Sequence, residues 1–108
     1  MAERFKMSDV GKERSRTGRA YLEFLRKSAL SAGIYVLAAN AEDGQEPHAE
    51  DEIYYVLAGR GRFRAGGSDQ AVAAGDLLYV PAHEPHRFHA IEEDLSLLVF
   101  FAPAESTP

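Results

Sequence analysis

The 108-residue sequence contains no cysteine and no tryptophan. Without cysteine there are no disulfides, no thiolate metal sites and no thiol nucleophile. No apolar run approaches the roughly 20 residues needed to span a bilayer. Near Met1 there is also no apolar stretch of signal-peptide length. The expectation is a cytoplasmic protein with no membrane partner. A phosphate-binding glycine loop and a serine elbow are both missing, and Gly59–Arg60–Gly61 reads as a turn.

Positive charge becomes scarce beyond residue 27. Residues 1–27 hold eight Lys or Arg against four Asp or Glu, whereas residues 28–108 hold four against thirteen. A basic leader on an acidic body invites attraction within one chain or between two. The leader has only Phe5 and Tyr21 as aromatics and no recognition motif, so no nucleic-acid partner is expected.

What is present is a series of short strands. Residues 1–18 are polar and lack steady periodicity, which predicts a basic arm. The body is expected over 19–103, and 104–108 as a disordered tail. Strands are predicted at 19–26, 32–39, 52–58, 60–64, 71–73, 77–80, 86–91 and 95–101. Gly66–Asp69, Gly75–Asp76 and Glu92–Asp94 are read as turns, and no segment makes a convincing helix. About eight strands with turns every eight to twelve residues indicate a sandwich or small barrel.

Two segments carry the chemistry: EPHAEDEIYYVLAG at 46–59 and GDLLYVPAHEPHRFHA at 75–90. Together they resemble the cupin superfamily. Its first motif has two histidines one residue apart, then a glutamate four or five positions on, then a glycine after six more. Counting back from Gly59 places the glutamate at Glu52 and the second histidine at His48; Glu46 occupies the first histidine position. Gly75, Pro81 and His86 fall on the second motif. His83 stands where that motif has a glycine, and Ala90 where it has an asparagine.

The resemblance implies an all-β fold, a double-stranded β-helix or jelly-roll barrel, behind the short arm. It implies a divalent metal (iron, manganese, nickel or zinc) held by His48, Glu52 and His86. Glu46 is the candidate fourth ligand and Gln45 a weaker substitute. Neutral imidazoles with one carboxylate suit such ions and leave positions open for a small oxygen-rich ligand. Dioxygenase- or isomerase-like chemistry follows from this, with a non-catalytic binding or sensing barrel as the alternative. The family also implies a homodimer packed through sheet faces.

An extended strand would separate His48 and Glu52 by about 13 Å at roughly 3.3 Å per residue. The chain must therefore turn at Ala49–Asp51, placing the two on adjacent strands, and turn again at 82–85 before His86. Strand parity sends one of Tyr54 and Tyr55 inward. Tyr54, Tyr79 and Phe88 are expected to line the pocket with His83 at its rim, and Phe100 to face the interior. His89 should point away from His86. Arg60, Arg62 and Arg64 share one face as an outer charged stripe paired with acidic neighbours.

Overall fold

The computed structural model describes residues 1–44 and 46–106. Six antiparallel strands follow one helix: α1 (Met7–Thr17), β1 (Tyr21–Arg26), β2 (Ser31–Leu37), β3 (Asp51–Ala65), β4 (Ser68–Ala73), β5 (Leu77–Val80) and β6 (His86–Ala102). They form one sheet in the order β1-β2-β6-β3-β4, with β5 also paired to β3.

The β-rich expectation holds, but the closed barrel does not. Among the described residues no ladder joins β1 to β4 or β5, so the sheet is not closed into a barrel. The first 18 residues add no strand to the sheet. They fold as α1, a helix the sequence reading did not foresee, and α1 packs on β1 and β2. Only Val10 of α1 is buried, and no polar side chain caps its start at Lys6. Its inner face is Met7, Val10, Gly11 and Arg14, a helical spacing in which only two residues are large and apolar, too weak a stripe to stand out in a polar segment. Gly18 ends the helix at φ 72°, its N–H donating to the carbonyls of Arg14 and Ser15. Among the described residues, no helix is long and apolar enough to cross a membrane.

β3 and β6 are the two long strands, and they pair along most of their length. Sequence reading cut each in two, at Gly59 and at Glu92–Asp94. Both breaks are bulges inside continuous strands. The register slips at three places between Val56 and Arg62. Inward positions on β3 accordingly change from even (Glu52, Tyr54, Val56) to odd (Gly61, Phe63). Gly59 makes this possible: its φ is 92°, and a Cβ there would lie 2.0 Å from the Asp94 carbonyl oxygen. On β6 the same change separates Phe88 from Ile91, with Ala90 at φ 47°.

The bulges bend the sheet so that its inner face packs on itself. Tyr54, Val56, Phe63, Val72, Val80, Phe88, Leu97 and Phe101 are buried in that one core. Phe100, expected inside, is half-buried on the other face, and its neighbour Phe101 takes the interior position.

Candidate metal centre

The site grows from the starts of β3 and β6. Glu52 is the second residue of β3, paired with Val80 on one side and Phe101 on the other, and is 1 % exposed. His86 is the first residue of β6, with a side chain 1 % exposed. His48 lies on the loop before β3, not on an adjacent strand as the sequence suggested. The bends at Ala49 and Glu50 nevertheless supply the required turn. They bring His48, Glu52 and His86 together, each offering a ligand atom within 4.8 Å of the others.

The turn before His86 holds the loop in place. The His83 N–H donates to the His48 carbonyl at 2.7 Å, and the Ala82 N–H donates to Asp51 Oδ1 at 2.9 Å. His83 contributes through its backbone: its side chain is exposed and its φ is 68°. The His48 ring packs edge-on against Phe101, with centroids 4.7 Å apart.

His86 Nδ1 lies 2.9 Å from the Glu84 carbonyl oxygen, which can only accept, so Nδ1 carries the proton. In the neutral ring Nε2 then presents a lone pair. It sits 3.0 Å from the Tyr54 hydroxyl and 3.1 Å from Glu52 Oε1. Burial alone would lower the His86 pKa, but the Glu52 carboxylate and the Glu84 carbonyl carry it above the ordinary imidazole value. Despite the 3.1 Å approach, neither Glu52 oxygen accepts an aligned hydrogen bond, and both are buried. A buried carboxylate without donors is costly. A cation between Glu52 and the imidazoles would remove that cost, so the residues present fit a divalent ion.

The remaining predicted residues divide. Tyr54 and Phe88 are fully buried beside His86, their rings 4.9 Å apart. Glu46 is exposed and outside the cluster; Gln45 lies outside the described residues. Tyr79 is corrected to the outer face, 59 % exposed, because β5 directs Val80 and not Tyr79 inward. His89 points away from the cavity and pairs with Asp69 at 3.0 Å.

Sequence reasoning missed Glu105. Read as frayed tail, it is 6 % exposed, and its Oε2 lies 3.2 Å from His48 Nδ1. The segment around it is strapped down. The Glu105 N–H donates to Ser31 Oγ, and its carbonyl accepts from Arg26 Nη2 at 2.6 Å. Ser106 donates twice to the buried Glu50, which had been read as a turn residue. Burial, then the charges of Glu52, Glu50 and Glu23, push the Glu105 carboxyl up to about 7, with Arg26 opposing. Asp43 was also missed. It is buried, accepting from the Tyr35 hydroxyl and the Phe88 N–H. Both acids sit in polar stretches without period, where burial leaves no sequence signal.

Residues 33–101 match the cupin domain family. The chain is 45 % identical over 102 residues to the uncharacterized protein SCO3923 of Streptomyces coelicolor, covering 94 % of this chain and 97 % of that one. Among solved structures it resembles TT1209 of Thermus thermophilus (TM-score 0.74, 20 % identity, 95 % and 99 % of the two chains). It also resembles KdgF of a Halomonas species (TM-score 0.72, 23 % identity, 80 % and 79 %). The DMSP lyase DddQ of Ruegeria pomeroyi shares the fold at TM-score 0.69 and 21 % identity, over 77 % of this chain and 47 % of that longer one. At these identities the likeness is one of fold.

Proposed function

Because the chain belongs to the cupin family, we propose that it binds a divalent metal through His48, Glu52 and His86 and holds a small oxygen-bearing molecule there. The observation that carries this is the Glu52 carboxylate, buried with both oxygens lacking hydrogen bonds and facing two imidazoles. His86 is fixed in the tautomer that offers Nε2. Glu105 meets His48 at Nδ1, and in this reading His48 coordinates through Nε2, the carboxylate–histidine–metal arrangement that orients ligands.

Bound there, iron, manganese, nickel or zinc supplies Lewis acidity towards an oxygen ligand, or an open position for dioxygen if redox-active. The chain's own part is to fix three ligands, to exclude water with Tyr54, Phe63 and Phe88, and to orient His48 through Glu105. Dioxygenase- or isomerase-like activity fits this set. A binding or sensing role is favoured by one observation: Glu46, at the family's first histidine position, is exposed and supplies no fourth ligand.

Elemental analysis of protein purified without chelator, followed by reconstitution, tests the reading. About one ion per chain is expected. Substoichiometric metal that none of the four ions restores would remove it. We also propose a homodimer through the outer sheet face, where Tyr55, Leu77 and Tyr79 are exposed on paired strands. Sedimentation of Leu77→Lys should then report a monomer where the parent chain is dimeric.

A further inference from the structure

The three candidate ligands are enclosed. The side chains of Glu52 and His86 are each 1 % exposed, and that of His48 is 19 % exposed. An ion reaches them only when some covering segment moves. Glu52 is flanked by Val80 of β5 and Phe101 of β6, so opening on those sides would break ladders. Among the described residues, three nearby segments enter no ladder: the loop carrying His48, the 82–85 turn, and residues 103–106 after β6.

Residues 103–106 are held through side chains on other elements. The Glu105 N–H donates to Ser31 Oγ at 3.0 Å, and its carbonyl accepts from Arg26 Nη2 at 2.6 Å. The Ser106 hydroxyl donates to Glu50 Oε2 at 2.8 Å. The segment is thus a strap across β1, β2 and the His48 loop, and Glu105 Oε2 meets the His48 ring at 3.2 Å. The 82–85 turn is a short link between two paired strands, with little slack to swing aside. Lifting the strap breaks a few side-chain bonds and no ladder, and such segments open locally at a fraction of the global unfolding free energy.

What the strap seals is polar. Ser31 is fully buried, and Glu50 and Glu105 are each 6 % exposed. Arg26, which holds the strap, also meets Glu23 at 2.8 Å. Buried carboxylates are poor core packing. As the wall of a passage they attract a cation and regain water when the strap lifts. We infer that residues 103–106 are a gate: the strap lifts to admit the metal ion beside His48 and closes behind it, setting Glu105 against the ligating ring. This rests on the metal-binding reading above and adds the route by which the ion enters and leaves.

Cobalt(II) entry into the metal-free full-length chain is followed by stopped-flow visible absorption, and its release by mixing the loaded chain with excess EDTA. Ser31→Ala and Ser106→Ala each remove one anchor of the strap and leave Glu105 and the three ligands in place. Each should speed entry and release alike, by about fivefold, the weight of one hydrogen bond, with the dissociation constant unchanged. Asp51→Ala, which unties the 82–85 turn at Ala82, should alter neither rate. In the metal-free chain the Glu105 amide should exchange with deuterium faster than amides at the centres of β3 and β6. Ser106→Ala should quicken that exchange by the same factor as it quickens cobalt entry.

Unaltered rates in both anchor variants would overturn the gate, as would faster entry in Asp51→Ala alone. So would a Glu105 amide as slow as the core, or weaker cobalt binding in the anchor variants with entry unchanged, the mark of a merely structural strap. All four outcomes leave metal binding itself standing. A parent chain that binds no cobalt would sink the metal-binding reading and the gate together.

Discussion

The two ends of β3 treat charge in opposite ways. At the start, Glu52 is buried, and neither of its oxygens accepts a hydrogen bond. At the far end Arg60, Arg62 and Arg64 are all exposed and all paired. Arg60 meets Glu92 at 2.8 Å, while Arg62 and Arg64 both meet Asp69 at 3.1 Å. One strand therefore carries a costly, unsatisfied charge and a cheap, satisfied set about ten residues apart. Solubility and edge protection explain the second. A cation held between Glu52 and the imidazoles of His48 and His86, as proposed above, would offset the first.

The sharpest way to break this contrast is to remove the buried charge. Glu52→Leu should reduce metal affinity by two orders of magnitude or more. Metal-free Glu52→Leu should melt no lower than the metal-free parent, because a buried ion without donors is replaced by apolar volume. Metal titration with parallel thermal melts reads both. A variant that loses stability while keeping its metal would show that Glu52 is structural.

A second, smaller effect concerns the strap. Glu105→Gln leaves its backbone anchors to Ser31 and Arg26 in place and removes only the charge facing His48. Metal affinity should fall about tenfold, the lower range for an outer partner of a ligating histidine. The same variant carries a pH signature. With its folded pKa raised from 4.5 to about 7, Glu105 holds its proton more tightly in the folded chain. Its contribution is therefore complete below about pH 4.5 and is lost as pH rises through 7. In metal-free protein, Glu105→Gln should match the parent near pH 4.5 and melt progressively higher than it by pH 8. Parallel curves across that range would show that Glu105 is not titrating there.

Third come the two backbone positions where this chain departs from the family's motif. His83 and Ala90 replace a glycine and an asparagine, and both have left-handed backbones, at φ 68° and 47°. That conformation costs a side-chain-bearing residue roughly 1–2 kcal/mol. His83→Gly and Ala90→Asn should each raise stability by about 1 kcal/mol in denaturant unfolding. Metal affinity should stay unchanged in His83→Gly, because position 83 holds His48 through its N–H. A loss of metal in that variant would give the imidazole a role its exposure does not suggest.

These same residues show how far the sequence could be read. His48, Glu52 and His86 were legible because motif spacing constrains them, and the turn between His48 and Glu52 followed from strand length alone. Gly59 was legible as a turn. The bulge it makes instead was not: a bulge that reverses parity looks, in sequence, like a strand end followed by a new strand. The helix α1 was hidden for the opposite reason, since its inner face (Met7, Val10, Gly11 and Arg14) holds only two large apolar residues. Glu105 and Asp43 escaped because their burial is imposed by distant partners (Ser31, Arg26, Tyr35 and Phe88), and local composition carries no trace of such contacts. Tyr79 was misplaced by one position of strand phase on β5, a strand too short for its alternation to identify its own inner face.

The smallest expected effect lies at the paired end of β3. Arg62→Ala removes a guanidinium that shares Asp69 with Arg64 and His89. His89 first, and then Arg64 and Arg62, hold the Asp69 carboxyl below its ordinary range. Two of those three partners remain after the substitution, and the group is in contact with solvent. The melting temperature should therefore change by no more than about 2 °C, and the change should shrink further in 0.5 M salt as screening weakens the remaining pairs. Metal affinity should not change, because the arginine lies on the outer face beyond the bulge at Gly59. A drop of many degrees that survives high salt would mean the stripe is part of the fold's core stability. The contrast between the two ends of β3 would then fail as an argument that only the buried charge needs a ligand to explain it.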